Sequence, residues 1–386
     1  MHTYNVLDYG IKADTMQLQT ARIQAVLDLC KNGGGTVIFP GGTYRIASLR
    51  LWSDTVVYLQ TGAKIIGSEN CDDYTVFDPG EDFAYFTDSE AFAHNRGYRR
   101  PDTYRRAMLS AFGEKNITIR GEEGSLLDGM HCYDAKGEEN FRGPHGIFLS
   151  SCKNIRLEGY TVQNTGNFMH QLDNCEDVVM ERVTALAGHD GVHLHCCKRM
   201  RIQNCTFITG DDCVAGANVE DVTVSNCHLN TSCNTFRIGG ANVLIENCTA
   251  EGPGYYPHLL SVVKGPVYDF KRTDGRHNTV CFLNYFSSKY FENKKPADIT
   301  VRNCRIRDVD QLLYYDVREP LHNVANLQAV AFENVTAIGL IKPSVARAAK
   351  ETPLTVRLKQ VSMTFSAGAE RAPFDTEFAT VSECTP

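Results

Sequence analysis

"KRMRIQNCTFITGDDCVAGANVEDVTVSNC" (residues 198–227) states one pattern twice: KRMRIQNC at 198–205 and EDVTVSNC at 220–227. In each copy apolar and polar residues alternate (Met200 and Ile202, then Val222 and Val224), which is the period of a strand with one buried face. An Asn-Cys pair closes both copies. The same run recurs as KNITIRG, KNIRLEG, EDVVMER, ANVLIEN, ADITVRN, QAVAFEN and LTVRLKQ. Its first core residue is in turn Ile117, Ile155, Val178, Met200, Val222, Val243, Ile299, Val330 and Val356, and from Ile155 to Val243 the steps are 23, 22, 22 and 21 residues.

One strand per turn of about 22 residues, with asparagine (Asn204, Asn226, Asn247, Asn303, Asn334) stacked at a corner, describes coils of a solenoid. Asparagine tolerates the left-handed turn conformation, and its amide can bond from coil to coil. Hairpin signals such as Asn-Gly are scarce, which argues against an antiparallel sandwich. No leucine-rich pattern is present. The expected fold is all-β, a right-handed parallel β-helix in one domain over residues 1–386. Residues 1–50 form an N-terminal cap and 113–365 the main coils. A capping helix is predicted at TARIQAVLDLC (20–30), with Ile23, Val26, Leu27 and Cys30 on one face and NGGG as its stop. Residues 71–112 and 251–297 break the period and are rich in Tyr, Phe, Arg and His, so they read as insertions that shape a binding face.

The chain has 386 residues and a formal charge of −7, which argues against nucleic acid or an anionic membrane as its main partner. No apolar run reaches the ~18 residues of a membrane span. The opening MHTYNVLDYG has neither a basic nor an apolar leader region, so a cytoplasmic location is expected, or a secreted or periplasmic one if a leader has been removed. The 15 cysteines are odd in number and lack a compact framework. Their repeat position marks many of them as small buried groups of a reduced core. Zinc binding by HLHCC (His193, His195, Cys196, Cys197) is disfavoured, because turn or pleat separates the donors.

The acids follow the same count. Asp190 stands twelve residues after Val178 and Asp212 twelve after Met200, with Asn234 and Tyr255 in the equivalent places of the next coils. Asp211 precedes Asp212 in a column with His189 and Cys233. A neighbouring column holds His170, His193, Ala215, Arg237 and His258. Crowded carboxylates cannot all ionise cheaply, so one retains a proton and can serve as a general acid beside general bases. Unaided, this pattern leaves three readings open: catalysis, a solvated acidic turn, and a bound cation.

The run QNTGNFMHQLDNCEDVVMERVTALAGHDGVHLHCCKRMRIQNCTFITGDDCVA (163–215) resembles the catalytic coils of the polygalacturonases, glycoside hydrolase family 28. YNVLDYGIKAD, IQAVLDLC and GGGTVIFPGGTY resemble that family's amino-terminal cap. The resemblance covers the cap and residues ~110–250. It implies an inverting glycosidase that uses no metal or cofactor and acts on an oligosaccharide or polysaccharide, with Asp211 as general acid and Asp190 and Asp212 activating water. The chain departs from the family at three places. Asn-Thr-Asp reads Gly188-His189-Asp190, Gly-His-Gly reads Cys233-Asn234-Thr235, and the Arg-x-Lys pair that reads a uronate has no counterpart. Arg237, Lys264, or Lys271 with Arg272 are the candidate substitutes. His170, His189, His193, Asn234, Tyr255 and His258 are further candidate substrate contacts. The rival readings are a calcium-dependent polysaccharide lyase or epimerase on the same scaffold, and a non-catalytic carbohydrate-binding solenoid.

Overall fold

The computed structural model describes residues 2–77, 102–258, 278–286, 296–318, 326–369 and 372–383. The chain forms two compact units, residues 1–193 and 194–386, each a stack of parallel strands.

In the first unit the predicted cap is present. The helix Thr20–Leu27 runs into a single 3-10 turn, Asp28–Cys30, and buries Ile23, Val26, Leu27 and Cys30 on one face. Gly34 ends it at φ +68°, its N–H donating to the Cys30 carbonyl at 2.8 Å. A Cβ there would lie 2.5 Å from the Asp54 carbonyl oxygen, so the close approach requires glycine. The strand Gly35–Phe39 then pairs in parallel with Thr3–Asn5 and with Thr55–Leu59. From Thr55–Leu59 one ladder continues through Lys115–Gly121, Lys153–Glu158 and Glu176–Glu181, with Ile117, Ile155 and Val178 in register. A second joins Gly42–Arg45, Ala63–Ile66, Leu126–Asp128, Thr161–Gln163 and Thr184–Leu186. A third joins Leu49–Arg50, Ala107–Phe112, His145–Ser150 and His170–Asp173.

The second unit repeats the scheme. Met200, Val222, Val243, Ile299, Val330 and Val356 pair in succession, and all are at most 2% exposed. Another ladder joins Thr206–Thr209, His228–Thr231, Thr249–Glu251 and Arg305–Arg307. On the remaining ladder Val214, Phe236, Leu283 and Leu313 face one another, all fully buried. Each such side chain contributes about 1.5–3 kcal/mol on burial, an upper bound because the unfolded chain is already partly compact.

Each coil thus carries three strands where the sequence pattern gave one. In one of the others, strands such as Thr161–Gln163 and Thr184–Leu186 bury a single residue, Val162 or Ala185, too little for alternation to register. In the third, strands such as Ala107–Phe112 and His145–Ser150 are buried at every position and so do not alternate. Coils also extend beyond 113–365, from Gly35–Phe39 to Ala379–Glu383. Both ranges read as insertions contain coil strands, Ala107–Phe112 and Cys281–Asn284. The rest of those aromatic segments (78–101, 259–277 and 287–295) lies outside the described residues. Among the described residues no helix is long and apolar enough to cross a membrane.

The corner asparagines behave as their chemistry requires. Asn204, Asn226, Asn247, Asn303 and Asn334 all have φ between 52° and 56°. Asn303 Nδ2 donates to Asn247 Oδ1 at 3.2 Å and Asn334 Nδ2 to Asn303 Oδ1 at 2.9 Å. Beside them Cys205, Cys227, Cys248 and Cys304 are buried free thiols, each donating to the carbonyl two residues earlier at 3.3 Å. A left-handed residue with a Cβ costs about 1–2 kcal/mol unless its side chain compensates. Asn303→Ala is therefore expected to be about 1 kcal/mol less stable than Asn303→Gly in urea unfolding. Equal midpoints would show that the corner conformation is not what asparagine supplies.

Candidate active site

In the second unit, Asp211 and Asp212 sit where the strand Thr206–Thr209 ends and Val214–Ser225 begins. Neither lies in a regular strand, so the rule that adjacent side chains oppose each other does not bind them. Both are buried, at 8% and 2% exposure. The Asp211 Oδ1 accepts the Asp212 N–H at 3.0 Å, and the Thr209 hydroxyl donates to the Asp211 carbonyl at 2.7 Å. The two carboxylates have different neighbours. Asp212 Oδ1 accepts both the backbone N–H of Asn234 at 3.1 Å and its side-chain Nδ2 at 2.7 Å. Asp211 Oδ2 instead lies 3.2 Å from Nε2 of His258.

Burial pushes the Asp212 carboxyl above the ordinary aspartate range, and the Asp211 charge adds to this. The Arg237 charge and the two Asn234 donors act the other way. This is the direction expected of a carboxyl crowded by a second acid.

The predicted columns hold in part. Ala215 pairs with Arg237, but the next residue in that column is Asn284, not His258. Beside Asn234 the next coil brings Cys281, not Tyr255. The cause is the long excursion between Glu251 and the strand Cys281–Asn284, across which counting from Val243 loses register. His258 is carried by that excursion to Asp211. Tyr255 is 60% exposed, and its N–H is held by Asn230 Oδ1 at 2.9 Å. Asn284 Nδ2 reaches Asn234 Oδ1 at 3.2 Å, a support that no sequence signal announced. Arg237 lies with its guanidinium 4.2 Å from the centre of the Phe286 ring, and it makes no hydrogen bond or ion pair to a described residue. Lys264, with Lys271 and Arg272, lies outside the described residues.

In the first unit, Asp190 Oδ2 lies 2.5 Å from His193 Nδ1, and the His193 ring stacks on Phe168 at 4.2 Å and 4°. Arg142 sits behind this pair, 6% exposed, ion-paired with Glu139 at 2.7 Å and 5.0 Å from the Phe168 ring. Its NH1 also reaches Asn167 Oδ1 at 3.3 Å and His189 Nδ1 at 2.8 Å. Arginine has no acceptor, so Nδ1 of His189 must accept and the ring proton sits on Nε2. His189 is thereby fixed as a neutral donor next to Asp190. Arg142 comes from the non-repeating loop before His145–Ser150, where periodicity carries no information.

His170 departs from its expected place at the cleft. Its ring nitrogens meet the Tyr160 hydroxyl at 2.9 Å and the Gly191 carbonyl at 2.8 Å, which leaves neither for a sugar. Burial lowers its pKa to about 4, against the raising effect of that carbonyl, so it is neutral at physiological pH.

Within the second unit one group of donors could hold a metal. Asp211, Cys233 and His258 offer an oxygen, a sulfur and a nitrogen within 4.8 Å of one another. Burial, then the charges of Asp212 and Asp211, push the Cys233 thiol well up, which opposes the thiolate such a ligand must become. In HLHCC, Cys197 is a core thiol donating to the His195 carbonyl at 3.4 Å, and His193 is engaged by Asp190.

Comparison with known proteins adds the family. Residues 99–217 match Glycosyl hydrolases family 28, and residues 3–73 match the group described as rhamnogalacturonase A/epimerase, pectate lyase-like. A probable polygalacturonase from Vitis vinifera is 24% identical over 226 residues, 55% of this chain and 44% of that protein. The chain thus spans less than half the length of the curated relatives it first matches. A hyperthermoactive exopolygalacturonase from Thermotoga maritima has a TM-score of 0.68 at 14% identity, over 99% of this chain and 90% of that one. The polygalacturonase from Erwinia carotovora ssp. carotovora has 0.67 at 14%, over 96% and 95%. At such identity the likeness speaks to the fold, which is the expected right-handed parallel β-helix. The family match spans the coils that carry Asp190, Asp211 and Asp212, and over residues 99–217 the chain resembles the polygalacturonases of glycoside hydrolase family 28.

Proposed function

We propose that the chain hydrolyses a glycosidic bond in pectin-derived oligosaccharides, with inversion and from a chain end. The observation that carries this reading is the unequal treatment of two adjacent carboxylates. Burial and the Asp211 charge raise the Asp212 carboxyl, and the two Asn234 donors that grip it oppose this and favour the ionised form that can activate water. Asp211 faces an imidazole nitrogen, a group that can give or take a proton, as a general acid needs. Asp190, at the position equivalent to Asp212 one sequence repeat earlier, is the second water-activating acid, oriented by His193. The family's histidine is absent where Asn234 stands, and His258 restores an imidazole to the general acid from a different segment. Oxygens of Asp211 and Asp212 lie within 4.8 Å of each other, closer than the ~6.5–9.5 Å usual for an inverting pair, so the anomer of the product decides between inversion and retention.

An exo mode is supported by the likeness to an exopolygalacturonase. The testing experiment incubates the purified chain with oligogalacturonides and with neutral plant oligosaccharides. Product anomers are followed by NMR, and viscosity is compared with reducing ends. Inverted anomers, slow viscosity loss and activity unchanged by a chelator are expected. An unsaturated product absorbing in the ultraviolet, or activity lost to a chelator and restored by calcium, would replace hydrolysis with elimination.

A further inference from the structure

Two thiols of the first unit stand apart from the stacked column. Cys71 opens the 3-10 turn Cys71–Asp73, and Cys132 follows the strand Leu126–Asp128. Their sulfurs lie 2.8 Å apart, with Cys71 9% and Cys132 1% exposed. That separation is shorter than the ~3.5–4.0 Å of ordinary nonbonded carbon contacts and approaches the ~2.05 Å of a disulfide. The column thiols differ on two counts. Each donates to a backbone carbonyl. In-register residues of neighbouring parallel strands are also held about 4.8 Å apart with parallel side chains, beyond the Cβ spacing of about 3.8 Å that a disulfide prefers.

We propose that Cys71 and Cys132 are an oxidisable pair, converted to a disulfide by a small-molecule disulfide such as oxidised glutathione. Cys71 is the more exposed thiol and makes the first attack. The hydrogen bond from the Cys132 thiol favours its thiolate against the opposing effect of burial. The Arg106 guanidinium, held by Asp134 at 3.0 Å and 3.9 Å from Asp72, contributes in the same direction as the hydrogen bond, while those two acids oppose it. The Cys71 thiolate bonds to one sulfur of oxidised glutathione and expels a glutathione thiolate. Cys132 passes its proton to that thiolate, attacks the Cys71 sulfur and expels the second glutathione as a thiolate, which takes up from solvent the proton that Cys71 released on ionising. Two protein thiols are oxidised, one glutathione disulfide is reduced to two thiols, and electrons balance.

The bond would tie the turn at 71–73 to the loop that carries Tyr133, whose ring packs edge-on to His189 at 6.4 Å. It would also close a loop that contains residues 78–101. Oxidation is therefore a covalent lock on the chain beside His189, and the inference stands whether or not the chain cleaves a glycoside.

The test incubates the native chain with glutathione disulfide near neutral pH, alkylates the remaining thiols under denaturing conditions and maps unreduced peptides by mass spectrometry. One crosslinked pair, Cys71 with Cys132, is expected, with the column thiols alkylated. The oxidised chain should melt at least about 3 °C higher than the reduced one. Cys132→Ser and, separately, Cys71→Ala should abolish both the crosslink and that rise. Alkylation of both cysteines, a stable glutathione adduct on Cys71 alone, or crosslinks scattered through the column would each overturn the proposal.

Discussion

Asp211→Asn is expected to lower turnover by about a hundredfold to ten-thousandfold, the range for removing a positioned proton donor. The melting temperature stays close to that of the wild type. Stability is spared because asparagine keeps an oxygen for the Asp212 N–H, which Asp211 Oδ1 accepts at 3.0 Å. Asp212→Asn should lose turnover likewise with its fold intact, since asparagine keeps one oxygen for both Asn234 donors, which meet the single atom Asp212 Oδ1.

The Asp211 variant also has a signature beyond the rate. Two influences raise the Asp212 carboxyl, burial first and the Asp211 charge second, and Asp211→Asn removes only the second. Its pKa should therefore fall towards the ordinary aspartate value without reaching it, as a carboxylate-labelled NMR titration would read. Near-normal turnover in Asp211→Asn would end the general-acid assignment. An unmoved Asp212 titration would show that the two acids do not share a proton.

Residues such as Met200, Val222 and Val243 made the fold legible, because a ladder that must bury one face of every coil writes its period into the chain. The same count found Asp212 and Asn234 in one column, since no insertion separates them. It failed where the chain leaves the coil. Cys281 and Asn284 take the places expected of Tyr255 and His258, because the length of an excursion is not set by coil geometry. The contact of His258 with Asp211 and the grip of Arg142 on His189 were equally invisible. Both depend on where a loop returns, and no repeat encodes that. The corner asparagines were legible for a different reason: their left-handed backbone restricts the choice of residue locally.

Arg237→Ala should discriminate between substrates. Arg237 is half-buried, stacked on Phe286, and without a hydrogen bond or ion pair to any described residue. A guanidinium held in this way offers a planar fork to a carboxylate, and the family's own pair for that purpose is missing. We propose that Arg237 binds the uronate carboxylate of the substrate. Truncating one partner of such a pair costs about 2–5 kcal/mol, so kcat/KM on an oligogalacturonide should fall about 30-fold to several thousandfold. The neutral galactose analogue should lose less than about fivefold. Arg237→Lys should recover only part of the loss, because an ammonium keeps the charge and forfeits the fork. There is a competing role, since the Arg237 charge also lowers the pKa of Asp212. If that were its whole contribution, Arg237→Ala would weaken both substrates equally and move the acid limb of the pH–rate profile upward, because Asp212 would then ionise at higher pH. Selective loss on the acidic substrate, with the acid limb shifted alike for both, assigns Arg237 to the carboxylate. Equal losses assign it to Asp212 and point to a neutral sugar.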